Sequence, residues 1–226
     1  NIDKEFNAHS SGGRIINFDK NHILLTVGEY TNRYLAQDTS SVNGKIIKIN
    51  IENFKHSIIS MGHRNPQGLY YDREQQIILE TEHGPEGGDE INLLEVSKFN
   101  KEKYLNFGWA IVSKGEHYGG KILNNNKRYE KYPLYKSHYK YGFIEPLKSF
   151  VPSIGISQIT KIGNNKYVFG SMKNKSIYFF DLDNNKKIIN LKRLDVFERV
   201  RDLVFKNKKL YLFLENTSSI GIISFI

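Results

Sequence analysis

With 226 residues, the chain is long enough for one large domain or two small ones, and 39% hydrophobic and 13% aromatic residues describe a globular protein, not a disordered one. Cysteine is absent, which excludes disulfides, thiolate metal sites and cysteine nucleophiles and suits a periplasmic or a cytosolic setting equally. The net charge of +9 comes from lysines scattered among abundant Asn and Ile, a composition bias more than a patch for an anionic partner, and no apolar run approaches the ~18 residues of a membrane span.

The opening Asn1-Ile2-Asp3-Lys4-Glu5 has no initiator Met, basic n-region or apolar h-region, as expected of a processed or truncated chain. A pattern of strand, short polar turn and strand then recurs four times. The first copy is Gly13–Phe18, a turn at Asp19-Lys20-Asn21, and Ile23–Val27; the second is Gly68–Tyr71, a turn at Asp72–Gln75, and Ile77–Thr81. The third is Ser157–Ile162, a turn at Gly163-Asn164-Asn165, and Tyr167–Gly170; the fourth is Val200–Phe205, a turn at Lys206-Asn207-Lys208, and Leu210–Leu214. Taking Arg14, Gly68, Gln158 and Arg201 as equivalent points, the spacings are 54, 90 and 43 residues. Further strands follow the pairs at Lys45–Ile49, Ser176–Phe180 and Gly221–Phe225. Sustained helical periodicity is missing apart from a short turn at Val96 to Lys103, so the class is all-β, and repeats of this length are the signature of propeller blades. The long gap contains a loop-rich insertion, residues 113–146, inside a single domain spanning 1–226. Its interleaved Tyr and Lys residues suit stacking on single-stranded nucleic acid or, without any nucleic-acid fold motif, a decorated surface loop, which is the reading adopted. This insertion and the polar connection Tyr30–Asn43 are expected on the rim that carries the site.

Two stretches concentrate polar groups beyond the needs of a loop: Gly62-His63-Arg64-Asn65-Pro66-Gln67-Gly68-Leu69 and Thr81-Glu82-His83-Gly84-Pro85-Glu86-Gly87-Gly88-Asp89-Glu90-Ile91-Asn92. A hairpin between them brings both to one rim of a sheet. Arg64 offers a planar fork of donors, Asn65 and Gln67 offer amides, and Gly84-Pro85 offers main-chain carbonyls. Such a cluster suits an anionic, planar, oxygen-rich ligand held beside a hard cation.

These motifs resemble the soluble sugar dehydrogenases that use pyrroloquinoline quinone (PQQ), and most closely their bacterial aldose sugar dehydrogenase branch. The anchors are His9-Ser10-Ser11-Gly12-Gly13-Arg14, Ala36-Gln37-Asp38 with Gly44-Lys45, the two stretches above, Phe107-Gly108-Trp109, Gly170-Ser171-Met172-Lys173 and Glu198-Arg199-Val200-Arg201-Asp202. The resemblance implies a six-bladed β-propeller, of which this chain covers about four blades as the C-terminal portion, in an open arc. It implies His9 as the general base, since an imidazole titrates near neutrality. It implies Arg64, Asn65, Lys173, Arg199 and Arg201 as holders of the quinone, with Arg199 and Arg201, two apart on a strand, facing the same side. Gly84 and Pro85 resemble main-chain calcium ligands beneath the quinone, while Asp89 and Glu90 are either ligands of a second, structural Ca2+ or a loop-capping acidic pair. His22, His56, His117 and His138 read as satisfied structural histidines, and Arg193 as a surface charge.

The chain departs from the better-known glucose oxidisers at Ala8, His83 and Leu214-Glu215, and the aldose branch shares the histidine. The implied partners are a small-molecule sugar and an external electron acceptor, with no nucleic acid and no membrane span, in a periplasmic or secreted setting. The competing class is a non-catalytic propeller that binds glycan or protein.

Overall fold

The computed structural model describes residues 9–99, 104–119 and 127–225. Four sheets follow one another along the chain. The first contains β1 (Gly12–Asn17), β2 (His22–Val27), β3 (Lys45–Asn50) and β4 (His56–Met61); the second begins β5 (Pro66–Asp72), β6 (Ile77–Glu82) and β7 (Asp89–Glu95). A two-residue strand, β8 (Leu105–Asn106), returns to pair in parallel with β4, and β9 (Lys148–Phe150) completes the second sheet. The third sheet is β10 (Ile156–Gly163), β11 (Lys166–Ser171), β12 (Ser176–Leu182) and β13 (Ile188–Asp195), and the fourth is β14 (Val200–Lys206), β15 (Lys209–Leu214) and β16 (Ser219–Ser224). Apart from the β4–β8 pair, the named strands pair antiparallel.

Tight turns close the hairpins by side-chain chemistry. Asp72 Oδ1 accepts the amides of Glu74 and Gln75 at 3.0 and 3.2 Å, and Asn50 Oδ1 accepts those of Glu52 and Asn53 at 2.9 and 3.1 Å. Asp and Asn favour turns because their short side chains satisfy the backbone where the ladder stops.

The sheets pack as blades through apolar faces. Leu24, Ile46 and Ile59 of the first sheet meet Leu69, Ile78 and Leu94 of the second, whose other face sends Ile77, Leu79 and Ile91 against Ile159, Tyr167, Phe169 and Phe180 of the third. Val168 and Ile177 then meet Leu203, Leu210 and Leu212 of the fourth. Each such side chain contributes about 1.5–3 kcal/mol when fully buried. β6 is covered on both faces, so all six of its residues are buried, carboxylates included.

The innermost strands β1, β5, β10 and β14 lie side by side in that order, and hydroxyls tie each to the next blade. Thr26 Oγ1 donates to Pro66 O (3.1 Å), Thr81 Oγ1 to Ser157 O (2.6 Å) and Ser157 Oγ to Val200 O (2.7 Å). Among the described residues this is an open arc, not a closed ring, of three blades with four or more strands and one with three. One detail of the repeat alignment is corrected: the register Gly68↔Thr81 matches Asp202↔Phe213, so Asp202, not Arg201, is the fourth equivalent point. Arg14 and Asp202 are thereby equivalent in the first and last blades, and they form an ion pair of 2.8 Å.

The insertion packs Leu134 against Ala36, Trp109 and Ala110, and it contains a one-turn helix the sequence pattern missed, α1 (Lys127–Lys131). Two of its tyrosines, Tyr135 and Tyr141, stack on each other at 3.9 Å. Of the short turn at Val96 to Lys103, residues 96–98 form a 3-10 turn, and 100–103 lie outside the described residues. No helix among the described residues is long and apolar enough to cross a membrane.

Candidate active site

The register pins the site to one end of the arc. The pairs Gly12↔Val27, Pro66↔Glu82, Ile156↔Ser171 and Val200↔Leu214 start the four inner hairpins, and each is followed at once by a register shift. Such bulges re-aim the side chains beside them. His9, Arg64-Asn65 and Arg199 enter just before an inner strand at this end, while Glu29, Gly84, Lys173 and Glu215 leave just after its partner. Arg201 is the second residue of β14.

His9 is exposed, and its loop is tied to the Arg64 segment by backbone bonds. Gly28 N donates to Ser11 O (2.8 Å), Tyr30 N to Ser10 O (3.1 Å) and Glu29 N to Arg64 O (2.9 Å). The chain at Gly28 runs so close to this loop that an added Cβ would lie 1.8 Å from Ser10 O, so only glycine fits. Asn65 Oδ1 accepts from Gly12 N (3.1 Å) and from Gln67 Nε2 (2.8 Å), joining the two segments. Ala8 lies outside the described residues.

Arg64 Nη1 donates to the carbonyls of His83 (3.0 Å) and Gly84 (2.7 Å), and its guanidinium lies 5.5 Å from the Trp109 ring centroid. The Gly84 carbonyl thus already faces a cation, and Pro85 beside it is buried. His83 Nε2 donates to Ile156 O at 2.6 Å; burial first, then Arg64 and Arg201, hold its pKa below the usual value, which keeps the ring neutral. Asp89 Oδ2 accepts three amides, from Ile154 (3.0 Å), Gly155 (2.7 Å) and Ile156 (3.1 Å), while Oδ1 accepts Gly84 N at 3.3 Å. Asp89 therefore fastens the loop before β10 to the Gly84 turn and leaves Oδ1 as its less occupied oxygen.

On the far side of the arc, Arg199 Nε and Arg201 Nη2 both reach Glu215 Oε2, at 3.2 and 2.8 Å. The two guanidiniums do face the same side, and they hold the Glu215 carboxyl below the usual range, Arg201 first. Lys173 is exposed, and its amide donates to Ile154 O at 3.0 Å in the loop that Asp89 fastens. Of the histidines read as structural, His22 pairs with Asp19 (2.8 Å), His117 with Arg33 (2.6 Å) and His138 with Glu90 (3.7 Å); Arg193 pairs with Asp195 at 2.6 Å.

Beneath the rim lies a buried acidic group that joins Glu82 and Glu90 of the second polar stretch to Glu80, which the sequence pattern did not single out. Glu82 Oε1 accepts from Asn92 Nδ2 (3.0 Å) and lies 3.2 Å from His63 Nδ1, its Oε2 accepts Arg64 N (2.6 Å), and Glu80 Oε2 accepts Asn92 Nδ2 (2.9 Å). Glu80 and Glu90 are held well above the usual carboxylate range, by burial first and then by the Glu82 charge. A void of about 10 Å3, near the size of one water or bare ion, is lined by Glu82, Glu90, Gly84 and Arg64. Phe107, Trp109 and Val112 complete its wall, so the lining is mixed, two carboxyl groups facing one arginine and an apolar side.

A raised carboxyl pKa favours the folded state only while that group is protonated. Stability is therefore full below the unfolded pKa of Glu80 and falls as pH rises toward its folded value. Glu80→Gln, which keeps an acceptor for Asn92, is expected to raise the thermal midpoint by a few degrees at pH 7 to 8. The gain should vanish near pH 4; a lower midpoint at pH 8 in thermal denaturation would contradict this account of the cluster.

Glu29 also sits at this end. Burial raises its carboxyl pKa, opposed by Arg64 and Arg33. Its position, two residues past the end of the second strand of its hairpin, matches those of Gly84 and Lys173, so the repeat alignment was the signal that could have found it.

The chain matches the family model described as "Glucose / Sorbosone dehydrogenase" over residues 2–223. It is 28% identical to an uncharacterized Synechocystis sp. protein, slr1608, over 85% of this chain and 50% of that one. It is 26% identical to the aldose sugar dehydrogenase YliI of Escherichia coli over 85% of this chain and 53% of that one. The PQQ-bound form of the aldose sugar dehydrogenase from Streptomyces coelicolor superposes with a TM-score of 0.68 at 22% identity, covering 92% of this chain and 57% of that one. The chain thus spans about half the length of the curated relatives it matches.

Proposed function

The chain belongs to the glucose/sorbosone dehydrogenase family, and from that premise we propose that its protein oxidises an aldose at C1 to the lactone, with PQQ and Ca2+ as cofactors, in a periplasmic or secreted setting. The observation that carries this reading is the convergence of Arg199 and Arg201 on one carboxylate oxygen, 3.2 and 2.8 Å away, at the rim that also presents Arg64, Asn65 and Lys173. Two guanidiniums placed this way suit a multiply carboxylated ligand better than a neutral one.

When bound, the quinone supplies a two-electron acceptor and the calcium polarises the carbonyl that receives the hydride. The chain's own residues do the rest. Arg64, Asn65, Lys173, Arg199 and Arg201 hold and orient the anionic cofactor. Gly84 and Pro85 offer main-chain oxygens to calcium beneath it, and Asp89 Oδ1 and Glu90 are donors for a second, structural ion. His9, on the loop tied to Arg64, takes the proton of the anomeric hydroxyl as the C1–H bond gives up its hydride and the C1–O bond becomes a carbonyl. Two electrons leave the sugar with the hydride and pass afterwards to an external acceptor.

The test is to reconstitute the protein at its full natural length with PQQ and Ca2+ and assay aldoses with a redox dye. Turnover should require both cofactors. A protein that binds no quinone would instead support the second reading, a non-catalytic propeller for glycan or protein.

A further inference from the structure

Beside Arg64 the rim opens into a cleft of about 470 Å3, within the ~300–1,000 Å3 range of small-molecule sites. Four cations line it, Arg33, Arg64, Arg128 and Lys131, against one carboxylate, Glu29. Tyr118, more than half exposed, and Tyr132 supply aromatic walls. Arg128, Lys131, Tyr118 and Tyr132 all come from the insertion, whose Tyr and Lys residues the quinone site does not use.

Arg33 is set in place before any ligand arrives. Its guanidinium lies 5.2 Å from the Trp109 ring and 5.9 Å from Tyr132, and its Nη1 donates to His117 Nδ1 at 2.6 Å. His117 Nε2 in turn donates to Tyr132 O at 2.8 Å, and burial holds its pKa down, so the ring is neutral and Nδ1 is free to accept. Lys131 Nζ lies over the rings of Tyr34 (5.6 Å) and Tyr132 (5.4 Å). Glu29 is 2% exposed; the Trp109 indole N–H and the Arg64 and Arg33 charges lie near its carboxyl, yet its Oε2 makes no hydrogen bond of normal geometry. A buried carboxylate oxygen without a partner calls for a donor, which a bare inorganic anion cannot supply. The ligand that answers both demands bears an anionic group for the cations and hydroxyls for Glu29. Tyr30, between cleft residues, donates to Ser10 O, so the cleft adjoins the His9 loop.

We propose that this cleft is a subsite for an acidic saccharide, a uronic-acid-containing oligosaccharide whose carboxylate lies among Arg33, Arg128 and Lys131, whose hydroxyls donate to Glu29 and whose ring face packs on tyrosine. Its role as part of a substrate rests on the sugar-oxidising reading; its binding does not.

The experiment is calorimetric titration of the full-length protein without quinone, using a diuronate, a neutral disaccharide and sodium sulfate. The diuronate should bind at least about tenfold tighter than the neutral sugar, a difference of ~1.4 kcal/mol, and weaken as salt rises. Arg128→Ala with Lys131→Ala, on an exposed one-turn helix, should remove about tenfold of diuronate affinity and leave the neutral disaccharide's affinity unchanged. Glu29→Gln should weaken the diuronate and not sulfate. Equal binding of the neutral sugar, sulfate matching the diuronate, or an unaffected double variant would each overturn the proposal. Because no quinone is present, failure of the quinone reading would leave this result standing, and the reverse also holds.

Discussion

His9→Ala should lower sugar turnover by ~10²- to 10⁴-fold in the reconstituted full-length protein, the usual worth of a positioned base, while PQQ affinity stays nearly unchanged. The side chain is exposed at the rim, so its loss removes no core packing. What it removes is the proposed acceptor of the hydroxyl proton, and the loop remains fastened through Gly28 and Tyr30 to Ser11 and Ser10. Dye-linked turnover and quinone titration on the same preparation separate the two effects. Full turnover in the variant would end the base assignment, and a matching loss of quinone affinity would make His9 a binding residue.

The second large effect is on stability. Asp89→Ala should cost about 3–5 kcal/mol, because Ile154, Gly155 and Ile156 would lose the acceptor of their amides, and unsatisfied buried groups cost ~1–3 kcal/mol each. For a chain of this length that lowers the thermal midpoint by roughly 10 °C, at about 2–4 °C per kcal/mol. Asp89→Asn keeps an acceptor without the charge and should fall between. Melting in a chelator distinguishes this role from metal binding, since the loss should persist there. A midpoint unchanged within a degree would show that the loop before β10 does not depend on this carboxylate.

The inner hairpins were legible because Asp, Asn and Gly mark their turns and because strands such as β1, β2 and β15 alternate between a packed and a less buried face. Outer strands were harder. β13, Ile188–Asp195, is exposed along nearly its whole length, so water faces it on both sides and no alternation develops. β4 and β7 were missed differently: His56 and Ser57 hide the start of one, and Asp89-Glu90 read as a polar motif hides the other. The rim residues were visible as contiguous motifs in a familiar order. Their partners were not, since those are set by the fold. Arg199 and Arg201 meet Glu215 across a hairpin, and Arg33 meets His117 across 84 positions of sequence. Glu80 follows the apolar run Ile77-Ile78-Leu79, where a one-sided strand would point it toward water, but β6 has no solvent side.

The central claim is that this rim holds an anionic quinone, and the most direct measurement is a PQQ titration of the full-length protein with and without Ca2+, repeated for Arg201→Ala. Glu215 should be displaced from the two guanidiniums by a better-placed carboxylate. Removing Arg201 should then weaken PQQ binding by about 10- to 100-fold, in line with the ~1.5–3 kcal/mol of a hydrogen bond to a charged group. Wild-type protein that binds PQQ only with calcium present, and Arg201→Ala protein that binds it more weakly, is the result this account predicts. Arg201→Ala protein that binds PQQ as tightly as the wild type, or a wild type that binds none, would contradict it.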